Sequence, residues 1–501
     1  MILEVLIFIF SVISLFWLFF KMKFNYFKKL DIPHKQPRIP FGNMQGFKRK
    51  LHSSHYFRNL YEEFKRTSPF CGIYLFTKPS YLIIDLELVK SILVKDFAYF
   101  HDRGMYYNLK DDPLSGHLLN LEGEKWKKLR EKLTPTFTSG KMRYMFKTII
   151  DVAEKFETFM DKSIVENDEP EIKGILARFT TNIIGTCAFG IECNTFEEKD
   201  SKFLEMGLKA FEQPRNSFFK QMIAMTFPDF ARKLGIKIVR DDVSDFFMKI
   251  VKDVIEYRES KNIKRNDFMD LLLQLKNEGK MSFEEIAAQA FVFFLAGFET
   301  SSTTMTFALH ELSLNQKIQE EVRDNIKKVL QKYNGKITYE ALSEMDVLER
   351  CINESLRKFP PAASLIRSVT KDYHVPNSKV ILQKGATIFI SVYGIHHDPE
   401  IYEDPENFNP DRFLPENVAN RNSMSFLPFG QGNRICIGER FGYIETKVGL
   451  VTLLSKFKFE PSSKTKTPIE FSKKNMILTT EGGMFLKVKK IQTESETEFL
   501  E

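Results

Sequence analysis

Ten residues near the C-terminal end gather most of the chemistry in this chain: Phe429-Gly430-Gln431-Gly432-Asn433-Arg434-Ile435-Cys436-Ile437-Gly438. A cysteine that loses its proton is a nucleophile or a metal ligand. Ile437, Phe441, Ile444, Val448 and Val451 recur at helical spacing, which predicts a helix with a buried stripe starting at the cysteine. The unpaired N–H groups of a helix N-terminus favour negative charge, so Cys436 is expected as a thiolate. Gly430, Gly432 and Gly438 let the backbone approach something large and flat. Arg434 would then meet an acidic group on that object. The plain alternative is a buried, inert cysteine in a glycine loop. A dinucleotide-binding loop fits worse, because Ile435 stands where a third glycine belongs and no valine-rich strand leads in.

Several helices must position other reactive groups. Ser282-x-x-Glu285 reads as a capping box opening a long apolar helix to about Leu314. Within it lies Ala296-Gly297-Phe298-Glu299-Thr300-Ser301. A mid-helix glycine costs about 1 kcal/mol, so small residues here should admit a flat partner. An acid followed by a threonine can open the hydrogen-bond ladder and hold water. Glu354 and Arg357 stand at i, i+3 on a helix that ends before Pro360-Pro361. Trp126 and Arg130 stand at i, i+4 on a basic helix with Lys127, Lys128 and Lys132. Taken alone, such pairs are ordinary surface contacts. His310-Glu311 begins like a zinc-protease helix, but Leu314 replaces the second histidine. His396-His397 has no third ligand at suitable spacing and reads as a structural or surface pair.

Gly72 to Leu75 and Tyr81 to Ile84 predict a hairpin around Lys78-Pro79-Ser80. A second hairpin is expected from Val380–Leu382 and Thr387–Ser391 around Gln383-Lys384-Gly385, and a last turn at Thr479–Met484. Asn266 to Lys276 reads as core helix. At the N-terminus, Ile2 to Phe20 is apolar apart from Glu4, Ser11 and Ser14, long enough to span a bilayer core. Lys21, Lys23, Lys28 and Lys29 follow and place that flank in the cytoplasm. The acidic start and the Phe19-Phe20-Lys21 end argue for an uncleaved anchor over a signal peptide. The prolines of Ile32–Pro40 predict a stiff, extended hinge.

With 501 residues, 43% hydrophobic and 28% charged, the composition is globular. No linker or repeat divides the interior, so the expected organisation is an anchor at 1–20, a hinge at 21–40 and one large domain at 41–501. A net charge of +7 suits an anionic membrane or an acidic partner, and the scattered lysines give no nucleic-acid signature. The five cysteines include no C-x-x-C pair, which disfavours a disulfide framework or zinc site.

The cysteine loop resembles the haem-binding loop of the cytochromes P-450, the haem-thiolate monooxygenases. The motifs Trp126-x-x-x-Arg130, Ala296-Gly297-x-Glu299-Thr300 and Glu354-x-x-Arg357 occur in that family's order, and the likeness covers roughly residues 30–490. Asn266–Lys276 and the segments around His396 and Asp404 look like insect microsomal members of the detoxification type.

The resemblance implies a mainly α fold with small β-sheets and a haem b between the helix of Thr300 and the helix after Cys436. It implies that Cys436 is the axial iron ligand, whose thiolate favours O–O cleavage. It implies cofactor contacts from Trp126, Arg130, Arg367, Arg434, Phe429, Gly430, Gly438, Ala296 and Gly297, with Arg103 a weaker candidate. Thr300 would hydrogen-bond oxygen and Glu299 would pass protons through water. Glu354, Arg357 and Arg412 would form a structural triad, with Asp411 where the family often has Glu. The apolar pocket would draw on Phe100–His117, Phe291–Phe298, Ala363–Ile366 and Thr480–Met484. Phe298 is its leading aromatic, joined by Phe294, Ala363, Leu365 and Thr480.

The implied reaction inserts one atom of O2 into an apolar small molecule, most readily a xenobiotic, over a hormone or lipid. No flavin or nicotinamide motif is present, so electrons would come from NADPH through a P-450 reductase, with cytochrome b5 a second partner. The reductase is expected on a basic face of Lys127, Lys128, Lys132, Arg440 and Lys447. The implied location is the endoplasmic reticulum membrane, with the catalytic domain cytoplasmic. A reductase-independent isomerase and a haem sensor are the rival readings; Thr300 and Glu299 argue against the isomerase.

Overall fold

Apolar length decides the first element. In the computed structural model, which describes residues 1–44, 51–198, 200–265 and 267–491, helix α1 runs Ile2–Phe24 with nearly every side chain exposed. It is long and apolar enough to cross a membrane. The helix passes the expected boundary at Phe20 and takes Lys21 and Lys23 into its last turn. The segment after it is docked, not a free hinge. Phe27 is fully buried against Tyr74 and Tyr81, and the Gly72 amide donates to Pro33 O at 2.8 Å.

Seven helices carry the body relevant to function: α2 (Gly123–Leu133), α3 (Ile172–Ile184), α4 (Lys202–Glu212), α5 (Asp241–Lys261), α6 (Phe283–Leu314), α7 (Asp346–Lys358) and α8 (Glu439–Lys456). The axis is α6. Its capping box forms as the sequence predicts, with Glu285 N–H on Ser282 Oγ at 3.2 Å and Ser282 N–H on Glu285 Oε2 at 2.9 Å. From Ser301 to Ser313 every side chain is buried although eight of the thirteen are polar, and hydroxyls such as those of Thr304 and Thr306 are met by their own i−4 carbonyls. α3 lies so close that a β-carbon on Gly297 would come within 2.2 Å of Ile184 Cδ1. The predicted stripe of α8 is buried at Phe441, Ile444, Val448 and Val451. The expected helix of Asn266–Lys276 appears as Phe268–Asn277, with Asp267 capping it; Asn266 and positions 492–501 lie outside the described residues.

Strands β1 (Phe70–Leu75), β2 (Lys78–Ile83), β3 (Leu365–Ser368), β4 (Tyr373–His374), β5 (Ile381–Leu382), β6 (Thr387–Ile390), β7 (Phe457–Pro461) and β8 (Leu486–Lys490) form three small sheets. The first has the order β1-β2-β6-β3. β1 and β2 make the expected hairpin, but its turn is Phe76-Thr77, and Pro79 already pairs with Tyr74. The second expected hairpin does not form. Ile381–Leu382 pairs with Tyr373–His374, while Thr387–Ile390 runs parallel to β2 and antiparallel to β3. Ile388, Phe389 and Ile390 are all buried, and a continuous apolar run of that kind suits a central strand better than a hairpin arm.

Three buried histidines make the fold acid-sensitive. Burial first, and a neighbouring cation second, lowers His117 and His310 to about 4 and His396 to about 3. His396 joins two segments: its Nδ1 lies 2.9 Å from Arg357 O and its Nε2 accepts from Leu427 N–H at 2.9 Å. In the unfolded chain these rings bind protons near pH 6.5, so between that value and their folded values the unfolded state holds more protons. Their contribution is complete above pH 6.5 and is lost as pH falls towards 4 and then 3. Thermal unfolding should show Tm dropping below pH 6.5. His310→Leu, which removes a ring whose Nδ1 has no partner, should flatten that drop between pH 6.5 and 4.

Candidate active site

Cys436 stands two residues before Gly438, the N-cap of α8, and not in the helix's first turn. Gly432–Arg434 forms a 3-10 turn, and the Cys436 N–H closes the loop on Phe429 O at 3.0 Å. Of the five cysteines it alone has an accessible side chain. Burial nevertheless dominates its titration and pushes its pKa up, opposed by the Gly438 amide and by Arg130 and Arg103. An accessible thiol deep among protein atoms faces an interior hollow, not bulk water. The expectation of a thiolate made by the helix N-terminus therefore needs correction. The protein alone favours the thiol, and a metal cation at sulfur is what would displace the proton.

Arginines converge on this hollow. Arg434 is buried with its guanidinium 3.9 Å from the centre of the Trp126 ring, and donates to His101 O at 2.8 Å and Leu121 O at 2.9 Å. Arg103 donates to Arg434 O at 3.2 Å, Arg130 to Ile435 O at 2.9 Å and Arg367 to Ile366 O at 2.9 Å. Burial, reinforced by mutual repulsion, lowers Arg103 to about 10, Arg367 to about 9 and Arg434 to about 8. Asp102 lies 3.5 Å from Arg434, and Arg434 Nη1 and Arg367 Nε find no hydrogen-bond partner among the described residues. Open donors on crowded cations beside an accessible thiol fit a ligand with carboxylates at its edge and a thiophilic metal at its centre. Haem b meets that description. Trp126 meets the cysteine loop through Arg434, and its neighbour Arg130 holds the loop directly.

The glycines divide by cause. A β-carbon on Gly432 would lie 2.0 Å from Leu93 O, so this glycine serves a close backbone approach to Ser91–Lys95. Gly430 and Gly438 face only ordinary contacts, to Leu365 at 3.7 Å and Phe137 at 3.8 Å. Phe429 packs on Tyr443, with ring centres 5.3 Å apart.

On α6 the faces sort the candidates. Ala296 is exposed in mid-helix, and Thr300, one turn on, is half-buried, so this face of α6 is open where its other faces are packed. Gly297 faces Ile184, and its small size serves helix packing where a cofactor contact was expected. Phe294 and Phe298 turn away about 200° from Ala296 at 100° per residue. They are fully buried with each other, with Phe211 and Phe203, and against Gly207 of α4. The expectation that these two rings line the substrate pocket is corrected: they are core. α6 runs unbroken through Glu299 and Thr300, and the Thr300 hydroxyl bonds back to Ala296 O at 2.6 Å, as Thr304 and Thr306 do to their own i−4 carbonyls. The expected opening is absent. Glu299 is buried, with Oε1 3.1 Å from Lys173 Nζ and Oε2 without a partner among the described residues. Leu365 lies beside Gly430 and is half-buried, Ala363 is buried with its carbonyl on Tyr393 N–H, and Thr480 bridges to Phe471.

Behind the loop, Glu354 takes both Arg357 Nε and Nη2 at 2.8 Å, and both side chains are fully buried. Arg412 Nε lies 3.4 Å from Glu354 Oε1, which also accepts from Asn409 N–H at 3.0 Å. Asp411 pairs instead with Arg350. Among the basic residues, Lys127 and Lys128 are exposed, and Lys127 lines a groove of about 810 Å³ together with Trp126, Arg130, Gly432, Ile435 and the acidic Glu124 and Glu131. Lys132 is tied to Lys280 O and Arg440 to Ser139 and Tyr339. Lys447 is buried on Glu349 at 2.7 Å and leaves the expected docking face, since an α8 residue that points into the core cannot meet a partner. Sequence reasoning missed Asp102 and Lys173, whose only signal is the buried charge each one meets; His396, expected as structural or surface, is buried and structural.

A glycine-rich loop with an accessible cysteine, set among buried arginines in a mainly helical fold, is the arrangement of a haem-thiolate monooxygenase. The chain belongs to the cytochrome P-450 family, whose model matches residues 33–488. It is 46% identical over 487 residues to the probable cytochrome P-450 6a14 of Drosophila melanogaster, covering 93% of this chain and 96% of that one. It is 43% identical over 490 residues to cytochrome P-450 6A1 of Musca domestica, covering 96% of each. Its cofactor is haem b, with electrons from NADPH by way of a reductase in this family.

Glu354→Ala would strand Arg357 without its counter-ion at a cost of about 3–5 kcal/mol. The expected result is a lower urea midpoint and poor haem content, both measurable on purified protein. Arg434→Leu should lose haem on gel filtration while leaving Cys436 present.

Proposed function

We propose that this chain oxidises apolar xenobiotics. One atom of O2 enters a C–H bond of the substrate, and the other leaves as water with two electrons from NADPH and two protons. The observation that carries the reading is the accessible Cys436 thiol set deep beside Arg103, Arg367 and Arg434. Haem b, when bound, supplies the oxygen-activating redox chemistry. Cys436 would hold the iron, and Arg367 and Arg434 would take the acidic edge on their open donors. Trp126 would hold Arg434 in place, and Arg130 the loop. Thr300 sits on the open face of α6, with a hydroxyl able to turn from Ala296 O to a bound oxygen. Glu299, with one oxygen unpartnered, would supply protons to that hydroxyl. Half-buried Leu365 gives the hollow an apolar wall, which suits apolar substrates. The likeness to insect detoxification-type members favours foreign compounds over an endogenous lipid or hormone.

α1 and the lysines after it support a single N-terminal anchor in the endoplasmic reticulum membrane, with one haem domain on the cytoplasmic side. We assign the reductase to the face formed by Lys127, at the edge of the groove, and its exposed neighbour Lys128, with cytochrome b5 as a second partner on the same face.

The decisive measurement is the carbon-monoxide difference spectrum of the reduced protein in membranes, where a strongly red-shifted Soret band is expected. Folded, haem-loaded protein without that band would remove Cys436 as ligand. Thr300→Ala should keep consuming NADPH but release hydrogen peroxide in place of product; unchanged coupling would sink the relay. Lys127→Glu with Lys128→Glu should slow reductase-driven turnover by about ten-fold at low salt, with peroxide-driven turnover unaffected.

A further inference from the structure

Glu445 is fully buried in α8, nine positions after Cys436. Neither carboxyl oxygen has a hydrogen-bond partner within normal length among the described residues. Burial and the nearby Ser301 hydroxyl are the influences on it, and it makes no ion pair among the described residues. An isolated buried carboxylate is too costly to persist, so such a group keeps its proton.

Packing fixes where that group sits. One turn further along α8, a β-carbon on Gly449 would lie 2.5 Å from Met305 Sδ of α6 and 2.7 Å from Phe179 of α3. This close approach sets the register of α8 against α6. Stepping back one turn on each helix brings Glu445 opposite Ser301, the residue after Thr300. The third side is closed by Cys187, from the turn Gly185–Phe189, whose thiol burial holds protonated. The pair therefore joins the helix that follows the cysteine loop to the helix turn that carries Thr300.

We propose that Glu445 is a neutral carboxylic acid whose O–H donates to Ser301, making it a positioning residue that ties α8 to α6 beside Thr300. A small closure of the Glu445–Ser301 gap completes the bond. The acid donates and the serine oxygen accepts, so no counter-charge is needed. Ionisation would place an unpaired anion between the two helices and push them apart.

The test uses the intact holoenzyme. Light-minus-dark infrared spectra after carbon-monoxide photolysis should show a carboxylic C=O band that shifts in D2O and is missing in Glu445→Gln. A spectrum that Glu445→Gln leaves unchanged, or a carboxylate band in its place, overturns the proposal. Glu445→Leu fills the space without the bond, and product formed per NADPH should fall by about five-fold, the size of one lost hydrogen bond. Glu445→Gln, which still donates, should restore coupling to within about two-fold of the parent. A leucine variant that couples normally, or a glutamine variant as uncoupled as leucine, defeats the positioning role. Should the leucine variant fail to bind haem, the infrared and glutamine results decide. The coupling arm rests on the reading of Thr300. If Thr300→Ala alone leaves coupling intact, that reading fails while the infrared result still judges Glu445.

Discussion

The fully buried Glu354–Arg357 pair is the constraint on which the site depends. A charge pair removed from water survives only if every remaining donor and acceptor is met. Here that requirement recruits distant chain: Arg357 reaches His396 O and Pro405 O, and Glu354 holds Asn409 N–H. His396 then takes the Leu427 amide, two residues before Phe429. A carboxylate and a guanidinium on α7 thus set the path by which an irregular segment enters the cysteine loop.

The site itself inverts that logic. Around Cys436 cations outnumber their partners: Arg103 lowers both Arg367 and Arg434, Arg367 lowers Arg434 further, and Asp102 and Glu122 oppose this at Arg434. Crowded cations with open donors are unfavourable until an anionic edge arrives. The protein spends stability at the cradle and recovers it when the cofactor binds.

α6 shows how one helix serves three tasks by angle alone. Gly297 meets Ile184, Phe294 and Phe298 fill the core towards α4 and α5, and Ala296 with Thr300 leaves one face open. Glu299 falls between these faces and is paired by Lys173 from α3.

Much of this was legible in the chain. The capping box at Ser282, the apolar stripe of α8, the Glu354–Arg357 spacing and the cysteine loop are local patterns, and local hydrogen bonding and periodicity enforce them. Which side of a helix stays open is not local. Phe298 looked like a pocket residue because it adjoins Glu299, yet 200° of rotation puts it in the core. Gly432 and Gly297 looked like concessions to a cofactor, and the space they leave is filled by Leu93 and Ile184. Thr387–Ile390 looked like a hairpin arm and became a central strand because β2, some three hundred residues earlier, supplies a partner. The residue types and their spacing along each element were determined by the sequence itself. The partners were decided only when tertiary packing brought distant elements together, because burial, charge pairing and close backbone approach depend on neighbours in space.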